Sequence, residues 1–220
     1  MTTVLNVHFV FLGAAIGLTG SLVYARDTLR GVTQPNRVTW FMWTLAPLLA
    51  AVAEIRQGVG LQWVMTFMVG FGPLLVLTAS FISRSGAWKI GPFDIACGVA
   101  SLCGLIIWAL TNNNTVALCA FVAADGLACL PTLAKSWKAP ETETALAYGT
   151  AWINAVLTLA TVSVWTTGTV AFPLWIAFIN TIFVSLIAGR IGPRLRGEPR
   201  PESLAPAERI ISGPRGENHG

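Results

Sequence analysis

Seven continuous apolar stretches, each about 18 to 22 residues long, run through the chain at approximately 5–24, 38–55, 61–82, 94–111, 115–134, 144–164 and 170–189. A helix that crosses the hydrocarbon core of a bilayer needs about 17 to 25 such residues, so each stretch predicts one span. The runs show no ten-residue alternation, which sets a transmembrane barrel aside. Charge agrees: Asp, Glu, Lys and Arg make up 11% of the 220 residues, against about 25% in a soluble domain. Apolar content of 54% is too high for a disordered chain. Cys97, Cys103, Cys119 and Cys129 all fall inside predicted spans, where a free thiol behaves as a small hydrophobe. The expected class is an all-α integral membrane protein with seven transmembrane helices.

Lys and Arg divide unequally between the two sides. The N-terminus and the turns after the second, fourth and sixth spans carry only Arg56. The other side carries Arg26, Arg30, Arg37, Arg84, Lys89, Lys135, Lys138 and the six arginines from Arg190 to Arg215. This predicts a multi-pass protein of the cell membrane with its N-terminus outside and its C-terminus in the cytoplasm. The net charge of +4 then reports topology, and no nucleic-acid partner is expected. Residues 191–220, rich in Pro, Gly, Arg and Glu, read as a disordered cytoplasmic tail. Asn113-Asn114-Thr115 has the form of a glycosylation acceptor but lies in a very short loop, and is read as a turn.

The chain resembles itself at a shift of 105 residues. Pro35 and Thr39 fall on Pro140 and Thr144, Trp43 on Tyr148, and Arg30 on Lys135. At a shift of 100, Phe71-Gly72-Pro73-Leu74 matches Ala171-Phe172-Pro173-Leu174. The seven spans therefore divide into three, one and three. Residues 1–85 form a first three-helix repeat, 86–113 a linker helix, 114–190 a second three-helix repeat and 191–220 the tail. An odd linker makes the repeats parallel, related by an axis near the membrane normal, and a solute site is expected on that axis.

The stretch Leu130-Pro131-Thr132-Leu133-Ala134-Lys135-Ser136-Trp137-Lys138, followed by Pro140 and Thr144, resembles the signature of the PQ-loop superfamily. The 3+1+3 layout resembles the SWEET-like seven-helix transporters within it, over about residues 5 to 190. The nicotinamide-riboside-type vitamin transporters are a more distant resemblance, carried by the layout and by Trp40-Phe41-Met42-Trp43. The defining Pro-Gln pair reads Pro131-Thr132 in the second repeat and Arg26-Asp27 in the first. The resemblance implies a transporter fold more firmly than a substrate, and makes Asn180 the counterpart of an asparagine in the SWEET sugar site.

Asp125 is the one carboxylate well inside a predicted span, where an acid costs about 2.5 to 3.5 kcal/mol by insertion scales. Such a position is expected to bind a hydroxyl or amine, or to take up a proton. Asn154 and Asn180 lie at similar depth in the sixth and seventh spans, and amides suit a polar ligand. Trp152 is the deepest tryptophan and offers a stacking plane, although about 200° around the helix from Asn154. Trp40, Trp88 and Trp137 are expected to anchor the inner interface and Trp63, Trp108 and Trp165 the outer one. Pro131 and Pro47 are the expected hinges, since each frees a backbone carbonyl within a helix.

The function expected is transport of a small polar solute (sugar, amino acid or vitamin-like) by alternating access, with proton coupling open to Asp125. The alternative is a non-transporting receptor or interaction protein of the same fold, with binding surfaces on the loops at Arg26 to Arg37 and Lys135 to Glu143. No enzyme activity, metal or cofactor is expected, because one carboxylate and two amides lack a partner base or ligand set. The partners expected are the lipid bilayer and a small-molecule solute; a homo-oligomer is compatible with this reading.

Overall fold

A computed structural model of the chain describes residues 9–56, 62–83, 87–162 and 164–198. The described residues form α-helices joined by turns, with no strand among them. The helices are α1 (Phe9–Leu29), α2 (Arg37–Arg56), α3 (Gln62–Ile82), α4 (Pro92–Leu110), α5 (Asn114–Lys138), α6 (Ala145–Thr161), α7 (Thr167–Gly189) and the short α8 (Ile191–Leu195). A 3-10 turn over Pro140–Thr142 joins α5 to α6.

Each of the seven apolar stretches overlaps one of α1 to α7, with α1 running five residues and α5 four residues beyond the expected end; residues 5–8 of the first stretch lie outside the described residues. By length and composition, α4, α5 and α7 are long and apolar enough to cross a membrane, and Arg37–Ala53, Thr66–Ile82 and Ala145–Thr161 are shorter apolar segments. The outer face of α4 presents Phe93, Ile95, Val99, Ile106, Ile107 and Leu110, all exposed. A contiguous apolar face of this kind is unfavourable in water, and it is compatible with a membrane protein.

Local chemistry sets the helix starts. Asn36 accepts from the backbone N–H groups of Val38 and Thr39 at 3.1 and 3.4 Å, capping α2, and its amide donates to Asp94 Oδ1 at 3.1 Å. Pro92 occupies the first turn of α4, and Asp94 Oδ2 accepts from the Gly91 N–H at 2.6 Å. Asn113 caps α5 by accepting from Thr115 and Val116 N–H, so the triplet there is a helix start. All four cysteines are free thiols.

Within residues 9–83, α3 packs against both α1 and α2; within residues 114–189, α7 packs against both α5 and α6. The two groups meet where α1 lies on α6 and α2 on α5, and α4 lies against α5 and α2. Small residues permit these approaches. A Cβ at Gly20 would collide with Thr150 Oγ1 and come within 3.0 Å of Ala147 Cα, and one at Gly104 would meet Ala124 Cβ at 3.1 Å.

Two sequence expectations change here. The expected tail is ordered at its start: after Arg190, in a left-handed conformation, residues Ile191–Leu195 form α8 against the end of α5. Arg196 donates to the carbonyls of Trp137 and Lys138 at 3.2 and 3.1 Å, satisfying orphan acceptors at the C-terminus of α5. Its bond to exposed Glu198 holds that carboxyl below the usual glutamate range. Residues 199–220 lie outside the described residues. Trp40 is the second change: expected as an interface anchor, it is 4% exposed and packs at the core against Tyr24.

Candidate functional site

A cavity of about 300 Å³ lies between the group formed by α1, α2 and α3 and the group formed by α5, α6 and α7. Its wall is mostly apolar. Asp125, Asn154 and Asn180 all line it, as does Pro47; Pro131 is fully buried away from it, and Trp152 is 40% exposed on the outside of α6. Helical geometry accounts for that split, because two positions along a helix turn a side chain by about 200°. With Asn154 facing the cavity, Trp152 faces outward.

Asp125 is held by an indole from another helix. Trp175 of α7 donates from Nε1 to Asp125 Oδ2 at 2.7 Å, and Trp43 of α2 lines the same cavity. Gly126 gives Trp175 its room, since a Cβ there would meet the indole at 3.2 Å. Asn180 is buried, and its amide donates to Ile176 O at 2.8 Å, using one of its two N–H groups. Asn154 reaches α1 at two glycines. A Cβ at Gly13 would collide with its Oδ1, and one at Gly17 would lie 4.0 Å from its Nδ2.

An aromatic floor closes the cavity toward the end that carries most of the basic residues. Trp43 stands edge-on to Trp40, Tyr148 and Phe183, with ring centroids 5.3, 6.4 and 6.0 Å apart. Tyr148 and Phe183 stack at 4.4 Å. Pairs of this geometry each add about 0.5–1.5 kcal/mol beyond area burial.

Beneath the floor is a buried ion pair. Lys135 Nζ lies 2.7 Å from Glu143 Oε1, and both side chains have no exposed surface. Glu143 Oε2 accepts from the Tyr24 and Tyr148 hydroxyls, each at 2.8 Å. Lys135 also donates to the carbonyls of Gln34 and Thr142, and its ammonium lies 5.6 Å from the centre of the Trp88 ring. Further links span the two groups: Gln34 N–H to Thr142 O at 3.0 Å, Thr144 Oγ1 to Asp27 Oδ2 at 3.1 Å, and Thr39 Oγ1 to Ala128 O at 2.7 Å. An ion pair so supplied with hydrogen bonds meets the condition under which burying two charges is tolerable.

By sequence alone Lys135 reads as one more basic residue on the cytoplasmic side, and Glu143 as part of a loop surface. The available signal was a lysine and a glutamate eight residues apart, flanking the helix break at Pro140. Trp175 and Tyr24, which complete the polar shell, carried no signal beyond composition. Among the described residues, no group of three His, Cys, Asp or Glu side chains is placed to hold a metal ion. Comparison with protein-family models, curated proteins and solved structures finds no match to the chain.

Proposed function

We propose that the chain is a seven-span membrane transporter that moves a small polar solute by alternating access, with the cavity between the two helix groups as its binding site. The observation that carries this reading is the cavity itself, in which Asp125, Asn154 and Asn180 converge from three helices. A midplane site between two repeats is the arrangement that rocking of one half against the other requires. The N-terminus is read as outside and the C-terminus as cytoplasmic, on the distribution of Lys and Arg.

The packing supports two parallel repeats, residues 1–85 and 114–190, joined by α4. The third helix lies between the first and second in each, and the pairing of α1 with α6 and α2 with α5 is unchanged when the halves are exchanged. Residues 105 apart behave alike. Thr39 bonds across to α5 and Thr144 across to α1, while Trp43 and Tyr148 meet each other. Pro73 and Pro173, 100 apart, both line the cavity. These features favour the resemblance to the PQ-loop, SWEET-like transporters.

On this reading the Lys135–Glu143 pair and the aromatic floor form the cytoplasmic gate, closed, and Pro47 and Pro131 are the bending points of α2 and α5. The receptor alternative is less favoured, because Lys135 and Glu143 are buried against each other, where a loop partner has no access to them.

The test is uptake into proteoliposomes, with candidate solutes chosen by thermal stabilisation of the purified protein. Asp125→Ala is expected to abolish uptake of a solute that the unaltered chain carries. Unchanged uptake in that variant overturns the role of the cavity.

A further inference from the structure

We propose that the solute bound in the cavity is a small monovalent organic cation, of the weakly hydrated quaternary-ammonium kind, whose positive charge answers Asp125. The inference rests on the reading of this cavity as the solute site.

The charge balance of the cavity is one-sided. Asp125 is the single carboxylate among the described residues that line it, and no Lys, Arg or His is among them. The nearest buried cation along α5, Lys135, is already paired with Glu143 beneath the aromatic floor. Trp175 donates a hydrogen bond to the Asp125 carboxylate, which orients it, but an indole N–H brings no formal charge. The carboxylate is held in place in a mostly apolar cavity, and when it is ionised no cation of the protein lines the cavity to answer its charge.

The wall determines which cation fits. A hard inorganic ion is satisfied by about six oxygen ligands, and this lining is dominated by apolar and aromatic side chains. A sugar draws on many directional hydrogen bonds, and of the other polar side chains in the lining the Ser21, Ser101 and Thr158 hydroxyls already donate to backbone carbonyls and the Tyr148 hydroxyl to Glu143. An organic cation needs little beyond a carboxylate and ring surfaces. Its methyl groups tolerate an apolar wall, and aromatic rings attract its charge. Trp40, Trp43, Phe121, Phe172 and Phe183 supply those rings. A volume of about 300 Å³ sets the size at the small end of ligand pockets.

The experiment measures binding to the purified full-length protein in detergent by calorimetry. The probes are tetramethylammonium, choline and N-methylpyridinium, each beside its uncharged isostere in which the quaternary nitrogen is replaced by carbon. At least one cation is expected to bind about tenfold or more tightly than its isostere. Asp125→Asn, which keeps the shape and an acceptor for Trp175, is expected to reduce that preference to less than about twofold. Equal or tighter binding of the isosteres, failure of all three cations to bind, or a preference that survives Asp125→Asn overturns the proposal. Binding of the cations without passage into proteoliposomes overturns transport and leaves the ligand class standing. Uptake of an uncharged solute with no cation binding does the reverse.

Discussion

Trp43 of α2 and Tyr148 of α6 meet edge to face between the two helix groups, with ring centroids 6.4 Å apart and planes inclined at 70°. They stand 105 residues apart, the same shift that aligns Pro35 with Pro140 and Thr39 with Thr144. Under the proposed repeat, two corresponding residues touch each other only near the axis that would relate the halves. Trp43 is also an edge partner of Trp40 and Phe183. Trp43→Ala is therefore expected to destabilise the purified protein by about 3–5 kcal/mol in denaturant unfolding. A loss below about 1 kcal/mol would contradict a packed floor.

The Lys135–Glu143 pair predicts an asymmetry between single and double substitutions. Lys135→Met or Glu143→Gln leaves the other partner charged and buried, and each is expected to cost about 3–5 kcal/mol. The double variant removes both charges and is expected to recover most of that loss. Thermal unfolding of the four proteins in one detergent measures the coupling, and strict additivity would contradict a direct pair.

Contact between α1 and α6 depends on the absence of a side chain at Gly20. Gly20→Ala places a methyl group against Thr150 Oγ1 and the α6 backbone. The expected cost is about 1–3 kcal/mol, since neighbours in a close-packed interface must shift. Gly149, where a Cβ would meet nothing within 4 Å, is the control, and Gly149→Ala is expected to leave unfolding unchanged or slightly improved.

Trp152 separates the sequence reading of the site from the structural one. It is 40% exposed and does not line the cavity. Trp152→Leu is expected to leave solute affinity within about twofold of the parent, as apolar replacement on an outward face removes no cavity contact. Asn154→Leu is expected to lower affinity about tenfold or more, the same titration measuring both.

The helices were legible because a bilayer-length apolar run is an intrinsic property of a segment: α2 and α3 fall within a residue of their expected bounds. Asp125, Asn154 and Asn180 were legible for a related reason, as polar groups at matched depth in apolar helices stand out without knowledge of packing. What the sequence hid is pairwise and long-range. Tyr24 reaches Glu143 across 119 residues, and Trp175 reaches Asp125 across 50. Nothing in the local pattern of either residue reports its partner. Lys135 and Trp40 misled for a shared reason: both types are common at membrane interfaces, and the seal between the halves buries these two instead. The start of the tail was hidden because α8 is held by Arg196 and by close contact with α5, without an apolar period of its own.

Alternating access predicts reciprocal exposure of the two ends of the cavity, and this can be measured without knowing the solute. In a background with Cys97, Cys103, Cys119 and Cys129 replaced, single cysteines are placed at Thr158, far from the basic end of α6, and at Ala147, close to it. Both positions line the cavity. A membrane-impermeant thiol reagent is expected to modify Thr158→Cys from the face opposite the basic loops and to leave Ala147→Cys unmodified from the basic side. Adding Glu143→Gln, which breaks the buried pair, is expected to invert that pattern, with Ala147→Cys becoming reactive from the basic side as Thr158→Cys becomes protected. Reactivity at both positions that does not respond to Glu143→Gln would contradict the account.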